Sequence, residues 1–490
     1  MRIITGAPGT RKTTHELDRM VREPGCYLFA NPTIDLITER VSDLRRMAKD
    51  AKTDPLIIAV HRNSRDTVVR QVARTIADLP HNMQHLPHVI AVVTHEGLIS
   101  SELRSFVGWH AVVDEVPSSV ATGSMRIPAT YAFMEAAYDL VDQGDGWSKV
   151  TLRADAPTFT EIQEDDFLAA LATFHRRAQS DVGVYVNLTD WRDARVKGRE
   201  VEWLSVWTLH ELERAPFENV TLIGSGIMHS LTYLVSNVAK PLKIERTEMP
   251  MARTGSPRVV IEYFADQHRG STLWWQSEIG RQNLLAIRRY LEGQKVGYWS
   301  GNEDVAKFFY GSVPGEQVRP KIAGSNRLHD HTSCAMMYSS KALPTDRLLT
   351  DAFDITPDQI ERAREMEDIW QFIWRGALRK PDFAGEYVIW LHDRAQAMAL
   401  AEQLGQSEAT TNIVVRKASA PGFQDVVRQS QPGRPRIYTG TAAEIEAAQK
   451  KANADAARQY RERKKAAKAA LANQMVTGTP ALEVRDVRRG

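Results

Sequence analysis

The chain has 490 residues, 43% hydrophobic and 25% charged, which gives ample length for a buried core and about three domain-sized units. Two cysteines, Cys26 and Cys334, exclude a disulfide framework and a cysteine-rich metal site. No run approaches the ~20 apolar residues of a membrane span, and Met1–Thr5 is too short for a secretory signal, so a reduced, soluble, cytoplasmic protein is expected.

In chain order, Arg2–Thr5, Cys26–Ala30, Leu56–Val60, Val89–Thr94 and Ala111–Asp114 read as buried strands. Thr13–Val21, Ile34–Met47 and Arg65–Leu79 read as helices between them, from apolar residues three and four apart. This alternation predicts an α/β domain with a parallel sheet covered on both faces. Residues 118–215 break the rhythm and read as an insertion with some strand content at Val182–Asn187. A buried strand returns at Val220–Gly224, and Glu248–Pro257 reads as a linker. A second α/β unit follows, with strands at Val259–Phe264, Lys295–Ser300 and Glu386–His392, and helices at Ser277–Leu291, Asp304–Phe309 and Arg394–Leu404. The predicted division is a first domain over 1–250, a second over 258–415 and a basic tail over 430–490. Residues 428–468 hold 11 Lys+Arg against 4 Asp+Glu, which leaves 1–427 acidic despite the overall charge of +2.

The chemistry-bearing residues open the chain. Gly6-Ala7-Pro8-Gly9-Thr10-Arg11-Lys12-Thr13-Thr14 follows the first strand and opens the first helix. That is the setting of a phosphate-binding loop: loop amides and the helix N-terminus wrap phosphate, Lys12 reaches its outer oxygens, and Thr13 binds Mg²⁺. Arg11 replaces the glycine of that pattern, so its side chain must project away from the phosphates or add a second positive charge. Ala111–Asp114 is a buried strand ending in Asp114-Glu115. Asp114 is placed to hold Mg²⁺ through water, and Glu115 to orient or deprotonate an attacking water. Together the two motifs point to an ATPase.

At this point the chain resembles the superfamily 2 helicases, the DEAD/DEAH-like group, and among them uncharacterised phage and plasmid members. Phe29-Ala30-Asn31-Pro32-Thr33 and Val93-Thr94-His95-Glu96 are similar to strand-end motifs that contact nucleic acid in that family, which assigns Asn31, Pro32, Thr33, Thr94 and His95 to the nucleic-acid surface. Val220–Gly226 falls where the family couples hydrolysis to movement, without the usual Ser-Ala-Thr. Ala323-Gly324-Ser325-Asn326-Arg327 resembles a Gly-rich motif that touches the nucleic-acid backbone, through Gly324, Ser325 and Asn326. Trp370–Arg379 resembles the last motif, in which Gln371, Arg375 and Arg379 would share one helix face. The resemblance implies two RecA-like domains closing on ATP and Mg²⁺, with an arginine acting in cis on the γ-phosphate. Arg379 is taken ahead of Arg375 for that role.

In the tail, Gly433-Arg434-Pro435-Arg436 has the core of an AT-hook, and Arg461 and Lys464 belong to a basic cluster suited to phosphate contacts. The reading is an ATP-dependent DNA helicase or translocase acting on single-stranded or forked DNA, with RNA open as the alternative. By family association it would work beside replication or recombination proteins in a bacterial cell or phage-infected host. A nucleotide-sensing DNA-binding protein without turnover and a terminase-like DNA motor stay open beside it.

Overall fold

A computed structural model describes residues 1–426 except 63–71, 127–130, 145, 166–167, 169–170, 180–182, 198–199, 267–269, 322–326 and 408–411, and beyond them Arg458 and Glu462. The Gly324–Asn326 motif and the tail residues Arg434, Arg436, Arg461 and Lys464 lie outside the described residues.

The first sheet is built from β1 (Arg2–Thr5), β2 (Cys26–Asn31), β3 (Leu56–Val60), β4 (Val89–Thr94) and β5 (Trp109–Asp114). An inserted unit supplies β6 (Val120–Arg126), β7 (Tyr138–Gly144), β8 (Trp147–Leu152), β9 (Val184–Asn187) and β10 (Glu200–Val206), after which β11 (Asn219–Ile223) and β12 (Glu245–Glu248) return to the first sheet. Its order is β12-β1-β11-β5-β2-β4-β3, and every pairing is parallel. Runs such as Val89–Thr94 are apolar throughout because both faces are covered. Helices α1 (Lys12–Arg22) and α2 (Ile34–Ala51) lie over one face, packing Leu17, Met20, Leu44 and their neighbours against Phe29 and Val112.

The inserted unit is a five-stranded antiparallel sheet of order β6-β10-β9-β8-β7. That is far more strand than its sequence suggests. Alternation along β10 splits its faces: Val201 and Trp203 pack on the unit's own helices, whereas Leu204 and Val206 face away. Gly123 stands opposite Trp203 in register, where a Cβ would lie 2.4 Å from the indole.

The second domain carries β13 (Arg258–Ala265), β14 (Tyr298–Gly301), β15 (Glu316–Gln317), β16 (Ser333–Met337), β17 (Glu386–Asp393) and β18 (Asn412–Lys417). These form an all-parallel sheet of order β15-β14-β16-β17-β13-β18. The expected fold class is therefore present: two parallel-sheet α/β domains in tandem RecA-like fashion, with an insertion in the first. The outward face of the insertion meets the second domain, where Val120, Leu204 and Val206 bury Leu349, Phe353, Ile355 and Ile360. Among the described residues, no helix is long and apolar enough to cross a membrane.

Candidate active site

Three neighbouring parallel strands, β1, β11 and β5, end side by side and deliver three loops to one edge of the first sheet, the usual position for a site in an open α/β sheet. The loop after β1 is Gly6–Arg11. Gly6 has φ +148°, and a Cβ there would lie 2.5 Å from the Met249 carbonyl, so the position demands glycine. Arg11, the residue before Lys12, has φ 62° and ψ 23°. That is the left-handed conformation which explains why glycine suits this position. Arginine adopts it at a cost of about 1 kcal/mol, and its exposed side chain points away from the loop interior. Arg11→Gly is accordingly expected to raise stability by about 0.5 kcal/mol, the strain relieved less the added chain entropy of glycine. Denaturant unfolding measures it, and a loss of stability would refute the strain.

Lys12 is buried and donates to the carbonyls of Gly6 (2.8 Å) and Ala7 (2.8 Å) and to Thr10 Oγ1 (3.2 Å). Burial lowers its pKa to about 8, against the pull of Asp114 and Glu115. A phosphate in the loop would restore the charge that burial disfavours. Thr10 also ties the loop through Ala7 O at 3.0 Å. Thr14 is exposed, and Pro8 is partly exposed at the loop's bend.

From β5, Asp114 Oδ1 accepts from Thr13 Oγ1 at 2.9 Å, so the two expected Mg²⁺ ligands are brought together. Burial raises the Asp114 carboxyl, opposed by Arg40, whose Nε lies 3.8 Å from Oδ2, and by Thr13 and Lys12. Hydroxyl plus carboxylate is a donor set that suits Mg²⁺, which fills its remaining positions with phosphate oxygens and water. Glu115 holds φ 63° and anchors that turn by donating its amide to Ile223 O at 2.6 Å. Strain of this kind in a non-glycine residue concentrates at functional sites. Burial, then the neighbouring Asp114 and Glu367, raise the Glu115 carboxyl to about 7, near the optimum for a general base.

The second domain closes the site. Gln371 Nε2 donates to Ser225 Oγ at 3.2 Å and to Glu367 Oε1 at 2.9 Å. Glu367 itself lies so near the Gly226 backbone that a Cβ there would be 2.1 Å from its carboxylate. Arg379 packs its Cγ 2.9 Å from where a Gly9 Cβ would stand, and Ala7 packs on the core of the second domain. Arg375 is 7% exposed, its Nε has no hydrogen bond among the described residues, and Glu115 is its leading charged neighbour.

The expected single helix face for Gln371, Arg375 and Arg379 is corrected. The helix Glu367–Ile373 ends first, Trp374 and Gly376 leave helical geometry, and Ala377–Arg379 is a short 3₁₀ turn. Both arginines reach the cleft from a broken chain. Glu367 and Arg40 were not among the sequence candidates. Glu367 was findable four residues before Gln371 on the same helix, whereas nothing local marks Arg40.

Of the strand-end residues assigned to nucleic acid, His95 and Asn31 are corrected, because both are buried. His95 is buried, bonds the Asp114 carbonyl through Nε2 at 2.9 Å, and is held neutral with a pKa lowered to about 4 by burial. Its role is to fix the acidic turn. Asn31 is fully buried. Thr33 and Thr94 cap the following helices by accepting from the Leu36 and Gly97 amides. Pro32 is partly exposed beside them.

No family model matches the sequence, and no curated protein matches it. Among solved structures, the chain is similar to a DEAD box protein from the hyperthermophile Methanococcus jannaschii, with 8% identity over 85% of this chain and 88% of that one and a TM-score of 0.30. It is similar to S. cerevisiae Dbp5 bound to RNA and ADP BeF3, with 9% identity over 85% of each chain and a TM-score of 0.35. For the DUF1998 helicase MrfA bound to DNA the values are 10%, 85% of this chain, 47% of that one and 0.34. A likeness this loose carries no functional inference.

Proposed function

We propose that the protein hydrolyses ATP between its two parallel-sheet domains and uses the cycle to move along nucleic acid, as a helicase or translocase acting on DNA. The observation that carries this reading is the convergence on one cleft of a phosphate loop with Lys12, the Thr13–Asp114 pair and Glu115 from the first domain, and Arg375 and Arg379 from the second. Lys12 and the loop amides bind the phosphates. Thr13 and Asp114 would hold Mg²⁺, which neutralises phosphate charge when bound. Glu115 takes the proton from the attacking water, and Arg375 meets the charge that develops on the transferred phosphoryl group. Ser225 and Gln371 join the domains beside these groups, so a change at the phosphates is felt across the cleft.

The test is ATP hydrolysis by the full chain with and without single-stranded DNA, for wild type beside Lys12→Ala. The expected result is turnover stimulated by DNA and lost in Lys12→Ala. Turnover surviving in Lys12→Ala would refute the site, and turnover indifferent to DNA and RNA would refute the motor.

A further inference from the structure

The turn that carries Arg375 is held from beneath by two buried phenols. Tyr298 on β14 and Tyr387 on β17 are both 0% exposed, and their hydroxyl oxygens are 2.8 Å apart. Tyr298 donates to Phe372 O at 2.9 Å and lies 3.3 Å from Ile373 O, while Tyr387 reaches Ile373 O at 3.0 Å. These are carbonyls of the last helical turn, which lose their usual amide partners four residues on because the helix stops there. A Cβ on Gly376 would lie 2.2 Å from the Tyr387 hydroxyl, so this glycine is required by close approach and not by a left-handed φ. The Ala377 amide then donates to His331 O at 2.8 Å, and the Arg375 amide to Phe372 O at 3.1 Å. The chain is thus gripped at 372, 373, 376 and 377, the residues on both sides of Arg375.

We propose that Tyr298 and Tyr387 are positioning residues: their paired hydroxyls end the helix one residue before Trp374 and so aim the Arg375 guanidinium across the cleft at Glu115. Two apolar rings would fill the same space, so burial alone does not account for them. A buried hydroxyl pair is retained where its hydrogen bonds fix a geometry. The consequence for hydrolysis rests on the reading above, whereas the grip on the turn does not.

The experiment compares wild type with Tyr298→Phe, Tyr387→Phe, the double variant and Arg375→Ala, alone and combined with the double variant. The double variant is expected to lower kcat for ATP about ten- to hundredfold with KM unchanged, because misaimed groups lose transition-state contacts first. Affinity for ADP with aluminium fluoride should fall by a similar factor while affinity for ADP alone holds. In the Arg375→Ala background the tyrosine changes should cost nothing further. A kcat within twofold of wild type, or the same loss persisting in the Arg375→Ala background, would overturn the proposal. If the double variant does not fold, each single variant is read by the same criteria at a smaller effect. If wild type shows no turnover, the hydrolysis reading fails by itself. Amide hydrogen exchange at Arg375 and Ala377 then decides for the grip: faster exchange in Tyr387→Phe supports it, and unchanged exchange overturns it.

Discussion

Arg375→Ala is expected to lower kcat for ATP by about 10³-fold with little change in KM, and Arg379→Ala to do less to kcat and more to KM. Arg375 is buried, has Glu115 as its leading charged neighbour, and carries a guanidinium Nε with no hydrogen bond among the described residues. A buried guanidinium nitrogen left without a hydrogen-bond partner is costly, and negative charge arriving opposite it offsets that cost. A finger acting on the transition state is worth about 10³ or more in rate. Arg379 instead lies with its stem along Gly9, has Arg40 and Glu39 as its charged neighbours, and is more accessible, so it bears on the loop that holds the phosphates before reaction. Arg375→Lys should recover little, because one ammonium cannot present the planar fork. Steady-state hydrolysis over a range of ATP concentrations separates the two arginines. If both alanine variants turn over at the wild-type rate, neither arginine acts on the transferred group.

The first half of the site was legible because its parts are local. Gly6 to Thr13 is one loop and one helix start, and Asp114-Glu115 is one strand end, so residue type and spacing suffice to place them. Even the departure at Arg11 resolves locally, since the backbone keeps the left-handed turn that glycine would supply. The second half was misread because its geometry is set from a distance. Gln371, Arg375 and Arg379 have helical spacing, but the helix ends where Tyr298 and Tyr387, 74 and 14 residues away from Phe372 and Ile373 along the chain, reach its carbonyls. No window around Arg375 contains that information. The insertion hid its strands for a related reason. β10 alternates Glu200, Glu202 with Val201, Trp203, a polar–apolar pattern diluted by charge, and its register is fixed by cross-strand fits such as Gly123 beneath Trp203. The strand-end residues divide by burial: Asn31 and His95 carry polar groups at the right edge yet are buried, His95 on the Asp114 carbonyl, whereas Thr33 and Thr94 cap the helices that follow.

Arg364→Met is expected to destabilise the protein by about 3 kcal/mol at pH 7 and by clearly less at pH 4. Asp346, between the second domain and the insertion, has a carboxylate 1% exposed that accepts two hydrogen bonds from Arg364 (2.7 and 3.0 Å), one from Thr122 on β6 (2.7 Å) and one from the Leu343 amide (2.6 Å). Burial pushes this carboxyl up, but Arg364, Thr122 and the Leu343 amide outweigh it and hold it below its usual range. The ionised form therefore stabilises the fold fully above the unfolded value near pH 4, and that contribution is lost as pH falls through the lower folded value. In Arg364→Met the cation is gone and burial dominates, so the carboxyl rises above its ordinary range. The penalty of an unpaired buried charge is then complete at neutral pH and shrinks on acidification, when protonation removes the charge. Asp346→Asn should cost about half as much, because the Arg364 left behind is 22% exposed and reaches water. Urea unfolding at the two pH values measures both variants. A difference for Arg364→Met below about 1 kcal/mol at pH 7, or one that grows at pH 4, would show that the pair does not hold the insertion to the second domain. The location gives the loss a second consequence. Arg364 lies in the helical stretch leading to Glu367 and Gln371, and the contact it secures buries Val120 and Leu204 against Phe353 and Ile360, so loosening it frees the second domain to move relative to the phosphate loop.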